Sequence, residues 1–492
     1  MYLLLCGNDF HFEMENICRL FLPQEKIVTL YDTVDDGSLA GLVVTGTLES
    51  SSGGAAHIAV RLRLDDADET LTDTVATVTP QFKDACELAM TTLLYRLLSA
   101  LLQTEQEWGL VTGVRPVKLL RRLTAQNGAA AALAHFREKL RVSPEKLTLL
   151  ETVLKNENEI LALSRPESYS LYVSIPFCPT RCDYCSFVSQ TVESAAKLMP
   201  AYVECLKKEL AFTGEEMRAL GLRLETIYFG GGTPTTLSAD QLSELFSVIE
   251  KHFDLSHLRE YTVEAGRPDT VTAEKFAAIA AAGADRISIN PQTLQDTVLR
   301  AIGRKHTAAQ FYEAFDLARR CGMKHINTDL IAGLPEDTPA GFAETVSGIL
   351  ALEPESITVH TLCLKRASNL VLRHRSDYGD RREAAQMIAH TGKVLPQNGY
   401  RPYYLYRQSR AVSNQENTGW AKPGKEGLYN VYIMDETHTI VGCGAGAVTK
   451  LKRPNSDYLE RVFNYKFPYE YTARFDDMLK RKEQVRAFYE QL

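Results

Sequence analysis

No uninterrupted apolar run in this chain is long enough to cross a bilayer. The most apolar helix-like stretch, residues 86–102, is broken by Glu87 and Arg96, whereas a span needs about 20 predominantly apolar residues. The opening MYLLLCGNDF holds only a short apolar patch with no basic segment ahead of it, which does not make a secretory signal. Basic excess is missing too: 55 lysines and arginines against 62 aspartates and glutamates leave a formal charge of −7, without the phosphate-gripping surplus usual in nucleic-acid binders. Ten cysteines in 492 residues are too sparse for a disulfide scaffold, and internal repeats are absent. A cytoplasmic protein with no membrane span and no nucleic-acid partner is expected. With 45% apolar and 24% charged residues, the chain can build large cores, and two or three domains are expected.

Three parts follow one another. Residues 1–165 carry strand-like IVTLYDTV, AGLVVTGTL and HIAVRLRL, separated by the turn-rich ESSSGGAA and the acidic DDADET. A helix over residues 81–103 and two or three more helices complete an N-terminal α+β module whose role the sequence does not reveal. In residues 166–370 the rhythm changes to short apolar runs alternating with amphipathic helices: LYVSIPF, ETIYFGG, EYTVEAG, DRISINPQ, HINTDLIAGLP and SITVHTL. Six strand–helix repeats predict an α/β fold with parallel strands, a closed or partial barrel, and chemistry at the C-terminal strand ends. Residues 371–492 mix a helix, RPYYLYRQSR, a predicted hairpin VYIMDETHTIVG and a glycine-rich CGAGA. They read as a small C-terminal α+β module covering the barrel.

Seven cysteines are scattered, as buried small hydrophobes usually are. The other three, Cys178, Cys182 and Cys185, form a CxxxCxxC spacing directly after the first barrel strand. Three thiolates leave one iron of a cubane without a protein ligand, unlike electron-transfer clusters, which normally take four cysteines. The alternatives are a zinc site, which would want a fourth Cys or His nearby, and a trio of unrelated buried cysteines. One strand–helix unit later comes GGGTPT, residues 230–235, where side-chain-free backbone can approach a ligand closely.

This pair of motifs resembles the radical S-adenosylmethionine (SAM) superfamily. The region 172–366 looks like its oxygen-independent coproporphyrinogen III oxidase group, and the whole chain is most similar to the HemZ-type branch. The resemblance implies a partial (β/α)6 radical SAM barrel, a [4Fe-4S] cluster on Cys178, Cys182 and Cys185, and one or two SAM molecules. Tyr172 and the backbone of Gly231 would contact the first SAM, and Glu264 would hydrogen-bond it. Tyr184, Gly232, Thr233, Gln292, Arg304, Asp329 and Cys363 align with positions that line a second SAM pocket. For Glu264, Asp329 and Arg304 the plain alternative is an ordinary ion pair or helix cap. No catalytic side chain is implied beyond the cluster and SAM.

The group's reaction is oxidative decarboxylation of coproporphyrinogen III propionates to vinyl groups, yielding protoporphyrinogen IX for heme biosynthesis. It implies a tetrapyrrole substrate and an electron-donor protein of flavodoxin or ferredoxin type. Arg181, Lys365, Arg366, Arg407 and Arg410 are available for the substrate carboxylates. Authentic oxidases carry a fourth cysteine two residues after the third, where this chain has Phe187. The alternatives within the group are a heme-binding chaperone and a radical SAM methyltransferase that modifies heme. The chaperones' His-Asn…Tyr-Trp signature has no counterpart in GLYNVYIM.

Overall fold

Three consecutive leucines, all buried, make β1 (Tyr2–Cys6) an inner strand of its sheet. β1 pairs in parallel with β2 (Val28–Tyr31) and β3 (Val43–Ser50), and β3, β4 (Ala55–Leu64) and β5 (Ala67–Ala76) continue as an antiparallel meander. Along β4 the residues Ala56, Ile58, Val60 and Leu62 are buried in strict alternation, as a half-covered sheet requires. The helix Phe82–Leu102 packs Met90, Leu93, Leu94, Leu97 and Leu98 on that face. By length and composition it is the one described helix that could cross a membrane; here it forms the core of its unit. Asp65 and Asp66 of the acidic DDADET make the turn between β4 and β5, and the rest of that run enters β5, where Asp68 pairs with Arg61 across the hairpin at 2.6 Å.

The computed structural model describes residues 1–50, 54–365, 368–372 and 381–492. It divides into two units, Met1–Leu150 and Glu151–Leu492, where the sequence suggested boundaries at 165/166 and 370/371. In the second unit the six apolar runs become β6 (Ser168–Ile175), β9 (Arg223–Gly231), β10 (Glu260–Glu264), β11 (Arg286–Ser288), β12 (His325–Ala332) and β13 (Ser356–Thr361); β7 (Phe177–Cys178) and β8 (Gln190–Thr191) form a two-residue ribbon beside β6. All six pair in parallel in chain order. Helices intervene, and capping boxes at Ser238/Gln241 and Thr307/Gln310 start two of them. The six strands do not close on one another: β13 pairs antiparallel with β15 (Glu416–Ala421), itself paired with β14 (Arg401–Arg407), and β6 pairs with β16 (Thr439–Cys443), followed by β17 (Val448–Lys452) and β18 (Leu459–Phe463). The fold is thus a partial (β/α)6 barrel whose sheet the C-terminal strands extend at both edges.

The predicted hairpin at 431–442 is a correction. Leu428–Asp435 is a helix and only Thr439–Cys443 is a strand. The cause is remote: the Glu260 carboxylate accepts the backbone N–H groups of Leu428 (2.5 Å) and Tyr429 (3.3 Å), satisfying donors at the helix start. Further along, buried Glu209 holds the turn after β16, accepting from Gly444 N (2.7 Å), Asn464 Nδ2 (2.8 Å) and Tyr471 OH (2.7 Å) and pairing with Lys482 at 3.2 Å.

Candidate active site

The C-terminal strand ends converge on a cavity of about 300 Å³, into which Cys178, Cys182 and Cys185 all face. Its wall also holds Tyr184, Gly231, Gly232, Thr233, Glu264, Gln292, Arg304, Asp329 and Cys363. Of the residues expected to hold the cluster or SAM, Tyr172 alone is not brought to this wall. Its ring stacks on Tyr228 and Tyr429 behind Gly230, because β6 turns that side chain into the tyrosine-rich cluster of the bore.

Close approach of two loops explains the glycines. The N–H groups of Gly232 and Thr233 donate to the carbonyls of Ile175 (2.8 Å) and Phe177 (2.7 Å), clamping the glycine loop onto the cysteine loop. A Cβ at Gly232 would lie 2.5 Å from the Phe177 carbonyl oxygen and 3.0 Å from Cys178 Sγ, and Gly231 adopts φ +106°, a conformation that favours glycine.

Two of the thiols accept hydrogen bonds from polar side chains. Thr233 Oγ1 donates to Cys178 Sγ and Arg267 Nη1 to Cys182 Sγ, both at 3.7 Å. Burial pushes the Cys178 thiol up and the Cys185 thiol up to about 11.

Opposite them, burial pushes Glu264 up to about 7, although Tyr228 OH donates to its Oε1 at 2.6 Å. Asp329 behaves differently. Burial would raise it, but His360 (Nε2–Oδ2 3.7 Å) and Asn327 (Nδ2–Oδ1 2.8 Å) hold it below the usual aspartate range. Gln292 sits in the left-handed region at φ +70°, pinned by its N–H to the Asp329 carbonyl (3.0 Å), and its buried Oε1 has no hydrogen-bond partner. A strained residue with an unsatisfied amide oxygen on a cavity wall fits a site built for a ligand. Arg304 donates to Tyr184 OH (3.0 Å) and the Asn290 carbonyl (2.6 Å), and Cys363 Sγ donates to the Ser409 carbonyl at 3.2 Å.

Among the expected cations, Arg181 and Lys365 line the cavity. Arg407 does not: it is 5% exposed, bonded to the Asn414 carbonyl, and burial pulls it down to about 10. Arg410 is off the cavity wall and Arg366 lies outside the described residues. Sequence reading missed Arg267, Asn290 and Tyr406, which also line the cavity together with the strand-end His360; their positions at or just past strand ends were the available signal.

The residues present fit a [4Fe-4S] cluster and SAM. Three thiols share one cavity, a glycine backbone with no room for side chains passes beside them, and an unpartnered amide waits on the far wall. Zinc fits less well, since a mononuclear site gathers four donors within about 2.3 Å of one ion. Among the described residues no three His, Cys, Asp or Glu side chains converge in that way.

Comparison with known proteins agrees. Residues 172–347 match the family model of the radical SAM superfamily. The oxygen-independent coproporphyrinogen-III oxidase-like protein HemZ of Bacillus subtilis is 38% identical, covering 82% of this chain and 83% of its own length. The heme chaperone HemW of the same organism is 31% identical over 62% of this chain and 78% of its own length. In fold, the coproporphyrinogen III oxidase HemN of Escherichia coli superimposes with a TM-score of 0.52 at 22% identity, covering 65% of this chain and 72% of that one. The chain belongs to the radical SAM superfamily, whose members use a [4Fe-4S] cluster and SAM, and within it to the family of oxygen-independent coproporphyrinogen-III oxidase-like HemZ.

Proposed function

We propose that the protein decarboxylates propionate side chains of coproporphyrinogen III to vinyl groups without oxygen, forming protoporphyrinogen IX. The observation that carries this reading is the 38% identity to the HemZ relative, which extends over 82% of the chain and so well past the barrel. Cys178, Cys182 and Cys185 hold the cluster. When bound and reduced by a flavodoxin- or ferredoxin-type donor, the cluster and SAM would supply a 5′-deoxyadenosyl radical to take a hydrogen atom from the propionate; carbon dioxide would then leave and one electron pass to an external one-electron acceptor, leaving the vinyl group. The protein positions and shields the reactants. Glu264 would hydrogen-bond SAM, the Gly231 backbone would contact it, and Gln292, Arg304 and Asp329 offer an amide, a guanidinium and a carboxylate to a second molecule. Arg181 and Lys365 face substrate carboxylates at the mouth.

A second reading, heme binding and delivery, is favoured by one feature: Phe187, at the position of the oxidases' fourth cysteine, stands 69% exposed on the cavity rim, where an aromatic face can stack on a planar macrocycle. Anaerobic reconstitution, reduction and product chromatography with coproporphyrinogen III decide between the two. Protoporphyrinogen with stoichiometric 5′-deoxyadenosine supports the oxidase. Heme binding without porphyrinogen turnover overturns it in favour of the chaperone.

A further inference from the structure

Cys182 is treated differently from the other two thiols. Two guanidinium groups act on it: Arg267, through Nη1 at 3.7 Å from Sγ, and Arg304, which interacts with the same sulfur. Arg267 is 3% exposed, an unusual burial for an arginine unless its donors are used. They are. Nε and Nη2 form a two-pronged pair with the Asp269 carboxylate at 3.1 Å each, which fixes the guanidinium plane, and Nη1 is left to reach Thr180 Oγ1 (3.1 Å) and Cys182. The backbone is fixed as well, since Thr270 N and Thr270 Oγ1 both donate to the Arg267 carbonyl. The guanidinium is thus aimed at one sulfur by three neighbours.

We propose that Arg267 sets the reduction potential of the cluster, through Cys182. Reduction of the cluster takes one electron from the external low-potential donor and moves no proton; the added negative charge spreads onto the cysteine sulfurs. An N–H donor and a nearby positive charge, poorly screened because both are buried, stabilise the reduced form and raise the potential. Asp269 opposes this by cancelling part of the guanidinium charge, so the Arg267–Asp269 pair acts as a two-sided adjustment. Arg267 is a positioning residue for the electronics of the sulfur and need not touch SAM or substrate.

The proposal rests on the three-cysteine cluster, and its test separates the two. The full chain is reconstituted with iron and sulfide, its iron content measured, and the midpoint potential read by redox titration followed by electron paramagnetic resonance. Arg267→Gln is expected to lower the reduced-to-oxidised ratio at fixed poise about tenfold, which is 59 mV for a one-electron couple. Arg267→Lys, keeping the charge and losing the fork, should fall less. Asp269→Asn is expected to shift the midpoint in the opposite direction, upward. A merely structural role moves iron content and leaves the potential alone. Iron-loaded variants with the wild-type midpoint, or with both shifts of the same sign, overturn the proposal. Should Arg267→Gln fail to retain iron, Asp269→Asn decides by itself: a raised midpoint supports the proposal, and an unchanged or lowered one refutes it. Absence of iron in the wild type would remove the three-cysteine cluster, and this proposal with it.

Discussion

Replacing Glu264 by Gln should make the cofactor-free protein more stable at pH 8 while removing its ability to hold SAM. The carboxyl sits on the cavity wall with its ordinary value of 4.5 pushed up to about 7, chiefly by burial, with Asp329 adding repulsion and Tyr228 partly offsetting it. Between those two values the folded protein binds more protons than the unfolded chain. Stability therefore falls as pH rises from about 4.5 through about 7, and is flat for this group above that. At about 1.4 kcal/mol per pKa unit the cost of ionised Glu264 at pH 8 is at most about 3.5 kcal/mol. The amide of Gln carries no charge at any of these pH values and can still accept from Tyr228. Urea unfolding of both proteins at pH 5 and pH 8, in a Trp108→Phe background so that fluorescence reports Trp420, 4% exposed on β15, checks this. The variant should match or trail the wild type at pH 5 and exceed it at pH 8, and SAM should no longer protect it. Parallel stability profiles for the two proteins would refute the reasoning.

Glu209→Ala leaves Lys482, 2% exposed, without its carboxylate. Stranding a buried charge costs about 3–5 kcal/mol, so the urea midpoint should drop steeply. Gly232→Ala drives a methyl group into the Phe177 carbonyl; iron uptake should be lost while far-ultraviolet circular dichroism stays that of the wild type. Phe187→Cys alters a largely exposed side chain, so stability should move by no more than about 0.5 kcal/mol. Any gain in porphyrinogen turnover measured by product chromatography then reports the chemistry of that position and not its packing.

The barrel was legible because parallel strands buried on both faces read as continuous apolar runs, and because each run ends in a residue that a core does not need: Cys178, Gly231, Glu264, Gln292, Asp329, His360. Strand ends in such a barrel meet at one mouth, so a one-dimensional list became a three-dimensional site. Helix Leu428–Asp435 was not legible, since VYIM reads as a strand until the Glu260 carboxylate, far away in the chain, takes up the first amides. Tyr172 lies off the cavity wall for a related reason: the direction of its side chain depends on the stack with Tyr228 and Tyr429. Arg267 went unnoticed because its partners Thr180 and Cys182 lie 87 and 85 positions earlier, and nothing in GRPDT announces a sulfur.

The central claim, three cysteines holding a cluster with one iron left for SAM, is tested most directly by electron paramagnetic resonance of the reduced, reconstituted protein with and without SAM, alongside Cys182→Ala. About four irons per chain, a reduced [4Fe-4S] signal that changes on adding SAM, and the loss of both in Cys182→Ala are predicted. Stoichiometric zinc with no iron, or a cluster signal indifferent to SAM, would contradict it.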